Sequence, residues 1–147
     1  MRQTFDESTD PSFGPRHVPL IRAAMAEQGL DGFLVPHEDE HQNEYLPAAN
    51  DRLAWASGFT GSAGAGVILK DRAAVFVDGR YTLQVREQVD VAAAQPVEFL
   101  TAPWGAIGQW FPPGAAATCF AAPGKSTRKV RLRRTLPHAL TCASSGA

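Results

Sequence analysis

His37-Glu-Asp-Glu-His41 has the spelling of H-E-x-x-H, in which two histidines one helical turn apart bind zinc and the glutamate acts as general base. A zinc helix of this kind is packed into a core. Here the segment follows Pro36 directly, holds Asp39 and Glu40 between the histidines, and is not set in an apolar stripe. That setting favours a solvated polar loop. Gly124-Lys125-Ser126 has the letters that end a phosphate-binding loop, but the first glycine of that motif would fall at Cys119 and no strand pattern precedes it. Gly58, Gly61, Gly64 and Gly66 do not keep the G-x-G-x-x-G spacing, and neither Ser57 nor Ser62 sits in G-x-S-x-G. Nucleotide binding and an esterase elbow are therefore unsupported, and the glycines read as structural.

Arg80 is the charged residue with the most promising place. It opens a helical pattern that follows a buried strand pattern, a position where loops on α/β sheets meet ligands, and a guanidinium there can hold a carboxylate or a peptide carbonyl. A salt bridge to Asp78 or Asp51 explains it equally well from spacing alone. His41, Glu44 and Tyr45 fall on a polar loop that could line the same edge, though such loops carry these residues for solubility too.

The elements that must position these groups centre on Asp51 to Gln88. Val67-Ile-Leu69 and Ala73-Ala-Val-Phe-Val77 are two apolar strand runs joined by the polar turn Lys70-Asp71-Arg72, which predicts a tight antiparallel hairpin. After Asp78-Gly79 the period changes, and Tyr81, Val85 and Val89 share one helical face. Upstream, Val18, Ile21, Ala24 and Met25 make a helical stripe from about Pro15 to Gln28, with Gly29 as cap, and Leu30 to Val35 is a strand stopped by Pro36. Residues 37 to 50 read as a loop or short helix. Downstream, Val97 to Leu100 reads as a strand and Trp104 to Phe111 as an amphipathic helix carrying Ile107, Trp110 and Phe111. This alternation of strand and helix patterns predicts an α/β fold.

The composition, 44% hydrophobic and 20% charged over 147 residues, is that of one globular domain, without an apolar run near the ~20 residues of a membrane span. The first fifteen residues carry Asp6, Glu7 and Asp10 instead of a signal-peptide pattern, so the expected compartment is the cytoplasm. Cys119 and Cys142 do not demand a disulfide there. The formal net charge of -1 hides an asymmetry. All 15 acidic residues lie at or before Glu98, whereas 6 of the 14 basic residues lie beyond Phe111, giving a body of -7 and a tail of +6. The tail, 112 to 147, has no usable period and holds the basic run Lys125 to Arg134, so it is expected to be disordered. That run offers an alternative function, weak and salt-sensitive binding to nucleic acid or another acidic surface. The acidic body and the lack of interleaved aromatic residues weigh against it.

Several separate motifs share one resemblance. Asp39-Glu-His-Gln-Asn-Glu-Tyr45, Arg52 with Trp55, Ser57-Gly-Phe-Thr-Gly-Ser-Ala-Gly64, and Asp78-Gly-Arg-Tyr-Thr-Leu-Gln84 with Gln88 resemble the N-terminal domain of aminopeptidase P, the Xaa-Pro aminopeptidase of the creatinase superfamily. The resemblance runs from about Asp10 to Phe111 and is strongest to the cytosolic, three-domain type. It implies a mixed sheet flanked by helices over residues 1–111, here incomplete, followed by the basic tail 112–147. It implies that Arg80 is a substrate-binding residue reaching towards a peptide with proline at its second position. It also implies that catalysis belongs to a later domain, where two Asp, a His and two Glu hold a pair of metal ions, usually manganese, that activates water. Without a carboxylate after Glu98 that ligand set is not expected within these residues, so the chain is expected to carry no catalytic residue, metal or cofactor of its own. The partners implied are the catalytic domain and, as a further role, a second copy of the chain. The resemblance, the acidic residues and the periodicity are all lost near Pro112, which points to a frameshift or truncation there.

Overall fold

The computed structural model describes residues 9–39, 43, 45–90, 97–101, 107, 110–111, 116–119, 129–131, 133–136 and 139–141. Helix α1 spans Phe13–Gln28. Its start is set by Asp10, whose carbonyl accepts from Phe13 N at 3.0 Å and whose Oδ1 accepts from Ser12 N at 2.9 Å. The helix thus begins before Pro15, and Pro19 lies in its second turn, where the ring removes one backbone donor. Val18, Ile21 and Met25 are buried, whereas Ala24 is exposed. At the far end Gly29 takes φ 63°, which glycine adopts without a Cβ penalty. Leu30 N then bonds Met25 O, and Gly29 N bonds Ala26 O, so that two terminal carbonyls are satisfied as the chain turns into the sheet.

Strand β1 is Gly32–Pro36, helix α2 Arg52–Ser57, β2 Gly64–Leu69, β3 Ala73–Val77, helix α3 Thr82–Gln88 and β4 Val97–Thr101. Beyond them lie β5 Ala116–Cys119, β6 Lys129–Arg131, β7 Arg133–Leu136 and β8 Ala139–Thr141. The main sheet has the order β4-β3-β2-β1-β5-β6, and β7 and β8 form a separate pair. β2 is antiparallel to both β1 and β3, while β4 runs parallel to β3 and β5 parallel to β1. The sheet is therefore mixed, and helices α1 to α3 accompany it. The expected hairpin is present, closed by Leu69 N donating to Arg72 O at 2.8 Å.

β2 and β3 are buried at every position, so both sheet faces are covered. Alternation divides their side chains between two clusters. Ile68, Ala73, Val75 and Val77 join Val18, Ile21, Met25, Leu53 and Val85 under the helices. Ala65, Val67, Leu69, Ala74 and Phe76 join Ile107 and Phe111 on the opposite face, with Trp110 packed against them. The apolar trio of the expected helix at 104–111 thus packs as a unit, and Trp110 N bonds Ile107 O at 3.1 Å. Most of that segment, like the loop at 91–95, lies outside the described residues.

Two elements differ from the sequence reading. The stretch Arg52–Ser57 is a helix, because Asp51 caps it by accepting from Ala54 N at 3.3 Å and Leu53 and Ala56 are buried along it. Past Phe111, where no packed element was expected, the described backbone forms strands, of which β5 pairs with β1 from Gly32↔Ala117 to Leu34↔Cys119. Ala-Ala-Thr-Cys lacks a period-2 pattern, and its pairing depends on a distant strand that local sequence does not encode.

Candidate functional site

The strand directions place one edge of the sheet at the centre of the site. β1, β3, β4 and β5 all run the same way, so their carboxyl ends lie along one edge, together with the start of β2. This is the edge of an open α/β sheet at which ligands are usually bound. His37 to Asp39 leave β1 there, and Asp78-Gly79-Arg80-Tyr81 leaves β3.

Arg80 sits in the short 3-10 turn Gly79–Tyr81, which leads into α3. Asp78 caps that turn by accepting from Arg80 N at 2.9 Å. The same carboxylate takes the guanidinium: Nε donates to Oδ1 at 3.2 Å and Oδ2 at 3.0 Å, and Nη2 donates to Oδ2 at 2.6 Å. Both side chains reach solvent, with 69% of Arg80 and 37% of Asp78 exposed. The side-chain hydrogen bonds from Arg80, followed by its backbone N–H, hold the Asp78 carboxyl below the ordinary aspartate range. Of the two salt bridges that spacing allowed, the one with Asp78 is present, and Asp51 serves α2.

The guanidinium also lies 5.3 Å from the centroid of the Tyr81 ring, within cation–π range. Tyr81 Oη lies 2.7 Å from Ser62 Oγ, and Phe59 meets the Tyr81 ring edge-on at 5.8 Å. Gly61 makes this packing fit, because a Cβ there would come within 2.3 Å of Phe59 and 2.8 Å of Tyr81. A second set of bonds fastens the same glycine turn to α3. Gln88, which is buried, accepts from Thr60 N at 3.0 Å and donates to Thr60 Oγ1 at 2.8 Å, and Gln84 Nε2 donates to Thr60 Oγ1 at 3.2 Å. Gly58, at φ 87°, would bring a Cβ within 2.7 Å of the Gln88 carbonyl. These contacts carry the site's shape, and the sequence reading assigned none of them. The signal available was Gln84 and Gln88, one helical turn apart on the face of a short helix that also buries Val85.

The other candidates are placed less favourably. His37 is buried, its N–H donates to Gly64 O at 3.0 Å, and residues 37–39 form no helix. Asp39 is also buried, holding Asn43 through its backbone and side-chain nitrogens at 3.0 and 2.9 Å. Tyr45 is 88% exposed. His41 and Glu44 lie outside the described residues, as do residues 125–128 and 132 of the basic run. Arg52 is buried, and Trp55 stacks on His17 at 4.1 Å between helices α1 and α2. Among the described residues, groups of three or more His, Cys, Asp or Glu that could hold a metal ion are absent, so these residues do not fit a two-metal site. Among them, too, helices long and apolar enough to cross a membrane are absent.

Residues 18–119 match the family described as the Creatinase/Prolidase N-terminal domain, with β1 to β5 and the Asp78–Tyr81 turn inside the matched span. The chain belongs to that family. A solved creatinase/prolidase-like N-terminal domain from Corynebacterium diphtheriae is 29% identical, with a TM-score of 0.54 over 73% of this chain and 74% of that one. X-prolyl aminopeptidase from Caenorhabditis elegans, described as a cytosolic enzyme with a di-nuclear active site, has the same fold at 22% identity and a TM-score of 0.58. The match covers 72% of this chain and 19% of that one. In sequence, the creatinase-type domain is 40% identical over 90 residues to "Probable Xaa-Pro aminopeptidase P" of Neurospora crassa, covering 61% of this chain and 13% of that protein. It is 39% identical over 90 residues to human Xaa-Pro aminopeptidase 2, covering 56% and 13%. The chain thus spans 10 to 14% of the length of curated relatives such as these.

Proposed function

We propose that this creatinase-type domain forms one wall of the peptide site of an Xaa-Pro aminopeptidase, with Arg80 as its substrate-positioning residue. The observation that carries the reading is the place of Arg80: a solvent-reaching guanidinium at the carboxyl-end edge of the sheet, anchored by its own turn. A guanidinium so held can donate to a carbonyl or carboxylate of a peptide with proline at its second position. Holding that peptide in one orientation is the domain's contribution, since fixing reactants in place removes entropy from the reaction barrier.

In this reading the bond is cut by a separate catalytic domain carrying two metal ions, manganese by the resemblance, and the domain contributes no group to the chemical step. The proposal includes a cytoplasmic setting and a contact with that catalytic domain or with a second copy of the chain.

A nitrogen-15 NMR titration of the chain with the tripeptide Ala-Pro-Ala tests the placement. Amide shifts should concentrate at residues 60–62 and 78–84. Shifts confined to the Lys70–Arg72 turn, at the opposite edge, or no shifts at millimolar peptide, would contradict it.

A further inference from the structure

We infer that Asp78 determines which peptide group Arg80 accepts, favouring a neutral main-chain carbonyl over a free carboxylate. This inference rests on the reading of Arg80 as a peptide-positioning residue and deepens it.

The geometry makes Asp78 a fixed part of the site. Its Oδ1 caps the turn through Arg80 N at 2.9 Å while the same oxygen and Oδ2 hold Nε, and Oδ2 holds Nη2 at 2.6 Å. Swinging the carboxylate away from the guanidinium would break the cap as well as the ion pair. Arg80 is restrained on another side by the Tyr81 ring, which Ser62 and Phe59 hold in place. The binding feature offered to a ligand is therefore the Asp78–Arg80 pair, which has no net charge. The contacts to Asp78 run through Nε and Nη2, two of the three guanidinium nitrogens.

A ligand carboxylate approaching Arg80 meets the Asp78 charge at the same time, whereas an amide carbonyl brings no net charge to repel. A unit charge about 5 Å away in a water-like dielectric changes affinity by about fourfold. Asp78 therefore discriminates against a peptide whose C-terminal carboxylate would fall on Arg80, and in favour of one whose chain continues past that point.

The test uses the intact chain and two probes, Ala-Pro-Ala and its C-terminal amide, with affinities read from the Arg80 Nε–H resonance at neutral pH. In the native chain the amide should bind at least as tightly as the acid. In Asp78→Asn, which keeps an oxygen to cap the turn, the acid should gain about fourfold relative to the amide. Asp78→Ser, also a good capping residue, should shift the ratio in the same direction and serves if the asparagine variant folds poorly. An unchanged acid-to-amide ratio in the variant that folds, or a native preference for the acid, overturns the inference while leaving Arg80 as a peptide ligand. If neither probe moves the Arg80 resonance in the native chain or the variant, the underlying reading of Arg80 fails, and the inference fails with it.

Discussion

Ser62 Oγ and Tyr81 Oη lie 2.7 Å apart, across the gap between the glycine turn before β2 and the turn that ends β3. This bond joins two segments that are 19 residues apart in sequence and sit at one sheet edge. Tyr81 carries the neighbouring guanidinium over its ring, so the hydroxyl pair holds the ring against which Arg80 rests.

Replacing Tyr81 by phenylalanine removes that hydrogen bond and keeps the ring. The expected loss is about 1 kcal/mol of stability. Urea unfolding of the two proteins measures it. A stability equal to the native value would mean that the bond contributes nothing to holding the edge together.

Gly61→Ala should be costlier than its size suggests. The new methyl would come within 2.3 Å of Phe59 Cζ and 2.8 Å of Tyr81 Cδ1, so both rings must move. Overpacking of this kind costs about 1–3 kcal/mol, and the Phe59–Tyr81 edge-to-face contact should be visibly altered in the ring-proton shifts.

Gln88→Leu replaces a buried amide with an apolar side chain of similar size. Thr60 N then loses its acceptor, and because this donor is only partly buried the cost should fall at the low end of the range for an unsatisfied group, about 1 kcal/mol. Hydrogen exchange at Thr60 is the local readout and should accelerate well beyond any global effect.

Asp78 supplies a pH prediction. Its carboxyl is held below the ordinary aspartate range by the Arg80 hydrogen bonds. A group whose folded pKa is lowered adds stability above its unfolded pKa and loses that contribution as pH falls through the folded value. The Asp78–Arg80 pair should therefore persist through neutral and mildly acidic pH and break only below the usual carboxylate range. Carbon-13 titration of the Asp78 carboxyl checks this, and Arg80→Ala should return its midpoint towards the ordinary value. An upward displacement in the native chain would have the wrong sign.

Much of the architecture was legible because it follows local patterns. The stripe Val18, Ile21 and Met25 specified α1, Gly29 its end, and two apolar runs about a polar turn specified the β2–β3 hairpin. The beginning of β2 was harder to see. Gly64-Ala-Gly66 has turn-like composition, yet it is strand, and its small residues leave room for Phe59 and Leu53, which lie 2.9 and 3.3 Å from where Cβ atoms would be at Gly64 and Gly66. Arg80 could be singled out from its place after a strand, whereas its partner could not be chosen between Asp78 and Asp51. Both aspartates cap a helical segment, Asp51 that of α2 and Asp78 the turn that holds Arg80 itself, so capping signals alone did not separate them. The polar clamp of Thr60, Gln84 and Gln88 went unread because its bonds to Thr60 span 24 to 28 residues: Gln84 and Gln88 share a helical face, but local sequence does not name Thr60 as their partner.

The most direct test of the account is the affinity of Ala-Pro-Ala amide for the native chain and for Arg80→Ala, each measured by NMR titration beside a thermal unfolding curve. Arg80 is exposed, so its removal should leave the unfolding midpoint nearly unchanged. Loss of a charge-assisted bond worth about 1.5–3 kcal/mol should weaken the peptide by roughly tenfold or more. Equal affinity in the two folded proteins would contradict the claim that Arg80 positions the peptide.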